Sequence, residues 1–301
     1  MNFPSDRPRL AVGVVGTGRV GAVLGAALAR AGHDVVAASA VSAASRARAA
    51  DLLPGIPVVP VEQVVRNASL VLLTVPDDAL TDLVEGLAAT GAVQRGQLVA
   101  HTSGRHGLAV LEPAVREGAL PLALHPALPF AGTRVDLERL HGTVFGVTAP
   151  EVLRPVAEVL VVEMGGEPVW LTEEQRPLWH AALAHGANHL TTLVASAADL
   201  LREAGVEQPA HVLGPLLGAA LDGALRSGDA ALTGPVARGD AGTVRAHLEA
   251  LAAVAPEVLP SYLAMARLTA DRAIAAGRLD PDRAWALLEV LATPPVGPVR
   301  R

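Results

Sequence analysis

A chain of 301 residues with a formal net charge of -6 is long enough for two domains with separate cores, and it lacks the basic excess that nucleic-acid binding requires. With 51% apolar and only 2% aromatic residues, its core must come from Ala, Val and Leu, which suits close-packed helices and a buried parallel sheet. The absence of cysteine excludes disulfides, thiolate nucleophiles and cysteine-held zinc or iron-sulfur sites.

The chain begins with a basic segment, Arg7 and Arg9, ahead of an apolar one, the order found in a secretory signal. Arg19 and five glycines interrupt that run, and a nucleotide-binding loop accounts for their spacing where a signal does not. A cytoplasmic chain is therefore expected. No uninterrupted apolar run reaches the roughly 18 residues of a membrane span, so no membrane partner is expected.

From Val12 to Ala29 the pattern reads strand, tight turn, helix, and the turn carries Gly16-Thr17-Gly18-Arg19-Val20-Gly21. In this G-x-G-x-x-G spacing the first glycine makes the turn, the second admits a pyrophosphate to the backbone, and the third lets helix and strand pack closely. Unpaired N–H groups at the helix start would hold the phosphates. A second strand, Asp34 to Ala38, leads to a stretch where an NAD-preferring fold places an acidic side chain against the ribose 2′-hydroxyl. None is present. Ser39, Ser42, Ser45 and Arg46 stand there instead and suit a 2′-phosphate, so NADP is preferred over NAD, although Arg46 and Arg48 are also compatible with a solvated helix face.

The alternation continues with short strands at Val58-Val59, Ser69 to Val75, Gln97 to Ala100 and Leu120 to Leu124, and a helix over Val61 to Asn67. Pro76 stops its strand and Asp77 is expected to cap the next helix. Strand ends face the ligand in a doubly wound sheet, which places Thr74, Val75, Pro76 and Thr102 beside the nicotinamide half of the cofactor. The same ends carry His101, Ser103 and His125, either as chemistry or as ordinary loop histidines and serine. Thr143 to Val147 and Val169 to Leu171 complete the strands, with a helix from Pro150 to Val162 between them. The fold class is thus an α/β Rossmann-type doubly wound sheet over residues 1–172, followed by an all-α domain over 173–293 and a flexible Pro-rich tail over 294–301.

The first helix of the second domain, about Glu173 to Ala204, is apolar nearly all round between Leu178 and Leu201, so burial is expected. His180, His185, Asn188 and His189 are set into it, with His180 and Asn188 two i to i+4 steps apart on one face. Such polar groups need partners, either a substrate or the other domain or subunit. His185 and His189 have metal-ligand spacing, but no glutamate follows His185 and no metal is expected. Further on, Leu232-Thr-Gly-Pro-Val-Ala-Arg-Gly-Asp240 reads as a rigid loop in which Asp240 caps a helix, and Arg238 either grips a carboxylate or ties two helices together.

Together these motifs resemble a bacterial family that joins a Rossmann-like NADP-binding domain to a C-terminal helical domain of unknown function. More distantly they are similar to the superfamily of 6-phosphogluconate dehydrogenase-like proteins that includes β-hydroxyacid dehydrogenases, ketopantoate reductases and pyrroline-5-carboxylate reductases. The resemblance implies a small-molecule substrate enclosed between the nucleotide domain and the first long helix, and because the apolar helices exceed what one small domain can cover, a homodimer is expected. Dehydrogenases and ketopantoate reductases place a lysine four residues before an asparagine on that helix; with Asn188 as that asparagine, the lysine position is Ala184. Their proton donor cannot be carried over, and His180, one turn earlier, takes its place. The expected activity is NADPH-dependent reduction of a small carbonyl compound, a 2-oxo acid of the ketopantoate type. Ser103 and Asn188 would bind the carbonyl oxygen, His180 would supply the proton, and Arg238, His125 and His101 would bind substrate. Reduction of a pyrroline-type imine and non-catalytic NADP binding are the two other readings.

Overall fold

The computed structural model describes residues 9–293; the tail expected at 294–301 lies outside the described residues. The chain divides into two compact units at Asn188/His189 rather than at 172. The first turns after residue 172 stay with the sheet because buried Arg176 and half-buried Glu173 hydrogen-bond to sheet and loop backbone.

The first unit alternates strand and helix: β1 (Ala11–Val15), α1 (Arg19–Arg30), β2 (Asp34–Ser39), α2 (Ala43–Leu52), α3 (Val61–Arg66), β3 (Leu70–Leu73), α4 (Asp77–Ala89), β4 (Leu98–His101), α5 (Glu112–Arg116), β5 (Leu120–Pro126), α6 (Arg134–Arg139), β6 (Val144–Thr148), α7 (Arg154–Glu163), β7 (Glu167–Trp170) and α8 (Arg176–Leu183). Val58 contributes only an isolated bridge to Ala38 rather than a strand. The seven strands lie in the order β2-β1-β3-β4-β5-β6-β7, all neighbours parallel except the antiparallel pair β5-β6. Every residue of β3 is buried, as a strand covered on both faces must be. One core packs α1 and α7 on one face of the sheet, and a second packs α3, α4 and α5 on the other.

Register brings the chemistry together. Ser39, Val15, Leu73, His101, Ala123 and Thr148 pair in succession across six strands. The glycine loop, the segment from Thr74 and the loop after His101 therefore leave the sheet side by side. Strand order reverses about β1, so its carboxyl end and that of β3 flank the crevice where doubly wound sheets bind ligands.

A π-helical segment, Ala184–Asn188, follows α8. The second unit holds α9 (His189–Glu203), α10 (Pro209–Ser227), α11 (Gly234–Ala237), α12 (Ala241–Val254), α13 (Leu259–Ala275) and α14 (Pro281–Ala292). Its core is drawn from α11 to α14. Asp240 caps α12 by accepting from Thr243 N at 3.1 Å, as its place before the helix implied. The helix expected to run unbroken over 173–204 is instead two α-helices around the π segment, and its expected burial is not found: α8 buries only Arg176, and α9 buries no residue.

Candidate active site

The glycine loop is braced from behind. Gly16 has φ +92°, which a side chain would strain, and its N–H donates to Ser39 Oγ at 3.0 Å. Thr17 is wholly buried, with its hydroxyl 3.1 Å from both Ser39 O and Ser45 O. Thr74 Oγ1 donates to Gly16 O at 2.6 Å, and a Cβ on Gly21 would collide with that hydroxyl and with Gly16 O. The side chains of Thr17, Ser39 and Thr74 therefore shape the loop from beneath instead of facing a ligand, a correction to their expected roles as direct contacts.

The front of the loop is open. A Cβ on Gly18 would meet nothing within 4 Å, and Gly18 begins α1 without a side-chain cap. The first amides of α1, from Arg19, Val20 and Gly21, have no intrahelical acceptor and point outward from the helix end. This cradle fits a pyrophosphate. Beyond β2, Ser42 and Ser45 form the capping box of α2, leaving Ser42 exposed, while exposed Arg46 donates back to Val41 O at 2.6 Å. No carboxylate occupies residues 37–46, so nothing there repels a 2′-phosphate. Val75 is half-buried and Pro76 exposed after β3. Pro76, not Asp77, is the N-cap of α4, and Asp77 lies in its first turn, 3.5 Å from Arg105.

The loop after β4 is held by His101 and Arg176. His101 has no exposed surface; Ser103 N donates to its Nδ1 at 3.2 Å, and its Nε2 lies 2.7 Å from Gly107 O. Burial, the largest influence, pushes its pKa down to about 3 despite the bond to Gly107 O, so the ring is neutral. With both nitrogens engaged and no surface, His101 supports the loop and does not reach a substrate, contrary to expectation. Ser103 is also buried, its Oγ accepting from His106 N at 3.2 Å. Thr102 is half-buried beside it.

Arg176 was not anticipated. Wholly buried, it donates to Ser103 O at 2.6 Å, Thr148 Oγ1 at 3.0 Å and Gly146 O at 3.4 Å, leaving Nε without a partner. Burial lowers its pKa to about 10, with Glu173 and Asp77 opposing, so it remains a cation. Glu173 in turn accepts from Leu108 N at 2.7 Å, and a Cβ on Gly107 would collide with its carboxylate. Nothing in the string Glu173-Glu-Gln-Arg176 separates these residues from a solvated helix start. Their roles arise from loops that meet them only in the fold.

His125, Trp179 and His180 complete the cluster. Trp179 Nε1 donates to His125 Nδ1 at 3.0 Å, and the His125 and His180 rings meet edge-on at 5.7 Å. Both histidines abut Gly104. Burial first, then the neighbouring His180 and Arg176, push the His125 pKa down to about 4.

Asn188 ends the π segment and is exposed. Arg238 belongs to the second unit, exposed at the end of α11. Among the described residues no group of three His, Asp or Glu could hold a metal ion, and no helix is long and apolar enough to cross a membrane.

Comparison with known proteins agrees with this architecture. Residues 2–126 match a Rossmann-like domain and residues 143–269 a domain of unknown function, DUF2520. No curated protein matches the chain. An NADP oxidoreductase candidate from Bacteroides fragilis, BF3122, is similar in structure with a TM-score of 0.76 at 21% identity, covering 87% of this chain and 98% of that one. Protein TM1727 from Thermotoga maritima gives 0.63 at 19%, with coverage of 88% and 99%. The pyrroline carboxylate reductase of Plasmodium falciparum, solved with NADP bound, gives 0.58 at 12%, with coverage of 92% and 98%. At these identities the likeness establishes the fold.

Proposed function

We propose that this chain, which belongs to the proteins joining a Rossmann-like domain to a DUF2520 domain, is an NADPH-dependent oxidoreductase that reduces a small carbonyl compound, a 2-oxo acid of the ketopantoate type. The observation that carries this reading is the shared edge of the sheet. An open, uncapped glycine-loop helix and a histidine pair stand at the carboxyl ends of β1 and β5, joined by the continuous register row. That the Bacteroides and Plasmodium proteins bear NADP in their names supports the cofactor class, and the lack of an acid at residues 37–46 favours NADP over NAD.

Bound NADPH would supply a hydride to the carbonyl carbon. The amides of Gly18 to Gly21 would hold its pyrophosphate, Ser42 and Arg46 its 2′-phosphate, and Val75 and Pro76 the nicotinamide side. As the C=O pair moves onto oxygen, His180 delivers a proton to it, a step worth roughly 10²–10⁴-fold in rate. The sequence contains no lysine at all, so no ammonium can take that part. Ser103 is buried and serves through the backbone of its loop, while Asn188 is assigned to the substrate oxygen. The chain is expected in the cytoplasm, as a homodimer joined through its second unit.

The test is oxidation of NADPH by the purified protein with ketopantoate, with NADH in parallel. Turnover that prefers NADPH, and that drops at least ten-fold in His180→Ala while NADPH affinity is retained, is expected. Binding of NADPH without turnover on any carbonyl or imine would return the chain to a non-catalytic role.

A further inference from the structure

The indole N–H of Trp179 can donate and cannot accept, so its 3.0 Å bond fixes His125 Nδ1 as an acceptor. A neutral imidazole with a bare Nδ1 carries its proton on Nε2. Glycines on either side make room for this arrangement. A Cβ on Gly104 would lie 2.9 Å from His125 Nε2 and 2.6 Å from His180 Cδ2, so both rings close on a position that only glycine can occupy. On β6, a Cβ on Gly146 would stand 3.0 Å from Trp179 Nε1, and Gly146 is the register partner of His125. The bare strand lets the indole lie beside the imidazole.

Protonating His125 would place a second N–H at Nδ1, facing the indole N–H donor to donor. The charged groups that influence the ring are Arg176 and His180 from α8 and Asp77 from the start of α4; the first two oppose added positive charge and the third favours it. We propose that Trp179 is a positioning residue that locks His125 as a neutral Nε2–H donor, and that this donor selects substrates whose reacting atom is an unprotonated acceptor, a carbonyl oxygen rather than a protonated imine nitrogen. The selection rests on the reductase reading above. An iminium N–H would meet a second N–H, whereas a carbonyl oxygen gains charge as the hydride arrives and strengthens the bond in the transition state. His125 neither gains nor loses a proton, because the proton on the product oxygen comes from His180.

The experiment uses the full chain, ¹⁵N-labelled at histidine, with His125 assigned through its backbone. Nitrogen shifts are expected to show a bare Nδ1 and a protonated Nε2 that stay unchanged between about pH 5 and 8, the range in which a free histidine titrates. In Trp179→Phe the proton is expected to distribute over both nitrogens. With NADPH and ketopantoate that variant should lose about ten-fold in kcat with little change in KM, short of the 10²–10³ that removing a donor outright costs. The wild type should reduce ketopantoate in preference to protonated 1-pyrroline-5-carboxylate.

A proton on Nδ1, or an imidazole titrating normally, overturns the lock whatever the activity, and because it is read on the wild type it holds even if Trp179→Phe does not fold. An intact lock with unchanged kcat in Trp179→Phe overturns the positioning role. Preference for the imine overturns the selection and leaves the oxidoreductase standing. Absence of any NADPH oxidation overturns the reductase and the selection together, with the lock still decided by the nitrogen shifts.

Discussion

His101 is a titratable group that the fold permits in only one charge state. It has no exposed surface, its nitrogens bond Ser103 N and Gly107 O, and burial holds its pKa at about 3 against a usual 6.5. The unfolded chain therefore binds a proton between about pH 6.5 and 3 that the folded chain does not, and in that window stability must rise with pH and fall on acidification. His125, held at about 4 chiefly by burial, acts in the same direction between about pH 6.5 and 4. Thermal midpoints measured from pH 7 down to about 4.5 should decline, and His101→Gln, though less stable at pH 7, should show a shallower decline. Equal slopes in the two proteins would mean that the histidine is charged, or solvated, in the folded state.

At the scale of elements, the turn from β1 into α1 divides its glycines between ligand and packing. Gly21 lies against Thr74 Oγ1 and Gly16 O, so Gly21→Ala overpacks the helix against β3 and should cost about 1–3 kcal/mol in denaturant unfolding. Gly18 opens to empty space, so Gly18→Ala should fold normally and instead weaken NADPH binding at least ten-fold by blocking approach to the first amides of α1. Equal stability loss in both variants would mean that Gly18 is a packing glycine. This turn was legible in the sequence because its geometry is local: three glycines, a strand before and a strand after. The row of strand ends was legible for the same reason, and so was Asp240 as a cap. The loop after β4 was not, since Ser103, Gly104 and Gly107 acquire their roles from Arg176, Glu173 and His180, some seventy residues away in sequence. The π segment escaped notice because Ala184–Asn188 differs from its helical flanks in hydrogen-bond register and not in composition.

At the scale of the whole molecule, apolar surface stands where a single chain does not need it. The second unit builds its core from α11 to α14, while α9 buries nothing and α10 buries only Pro209 and Leu213. Leu190, Leu193, Leu216, Leu221 and Leu225 are left exposed on those two helices, Leu225 at 80%. An isolated exposed leucine needs no explanation, whereas a series of them on consecutive helices is the kind of surface on which proteins associate. A second copy of the chain is the partner that the apolar composition led us to expect, and a two-fold arrangement pairs the same patch with itself, so that like surfaces cover each other. Leu216→Glu introduces a charge into that self-complementary patch twice per dimer without entering the core of α11 to α14. Sedimentation at micromolar concentration should give a dimer for the wild type and a monomer for Leu216→Glu, the variant retaining its helical circular dichroism. A wild-type monomer would assign these leucines to another partner. A variant that stays dimeric would move the interface off α10.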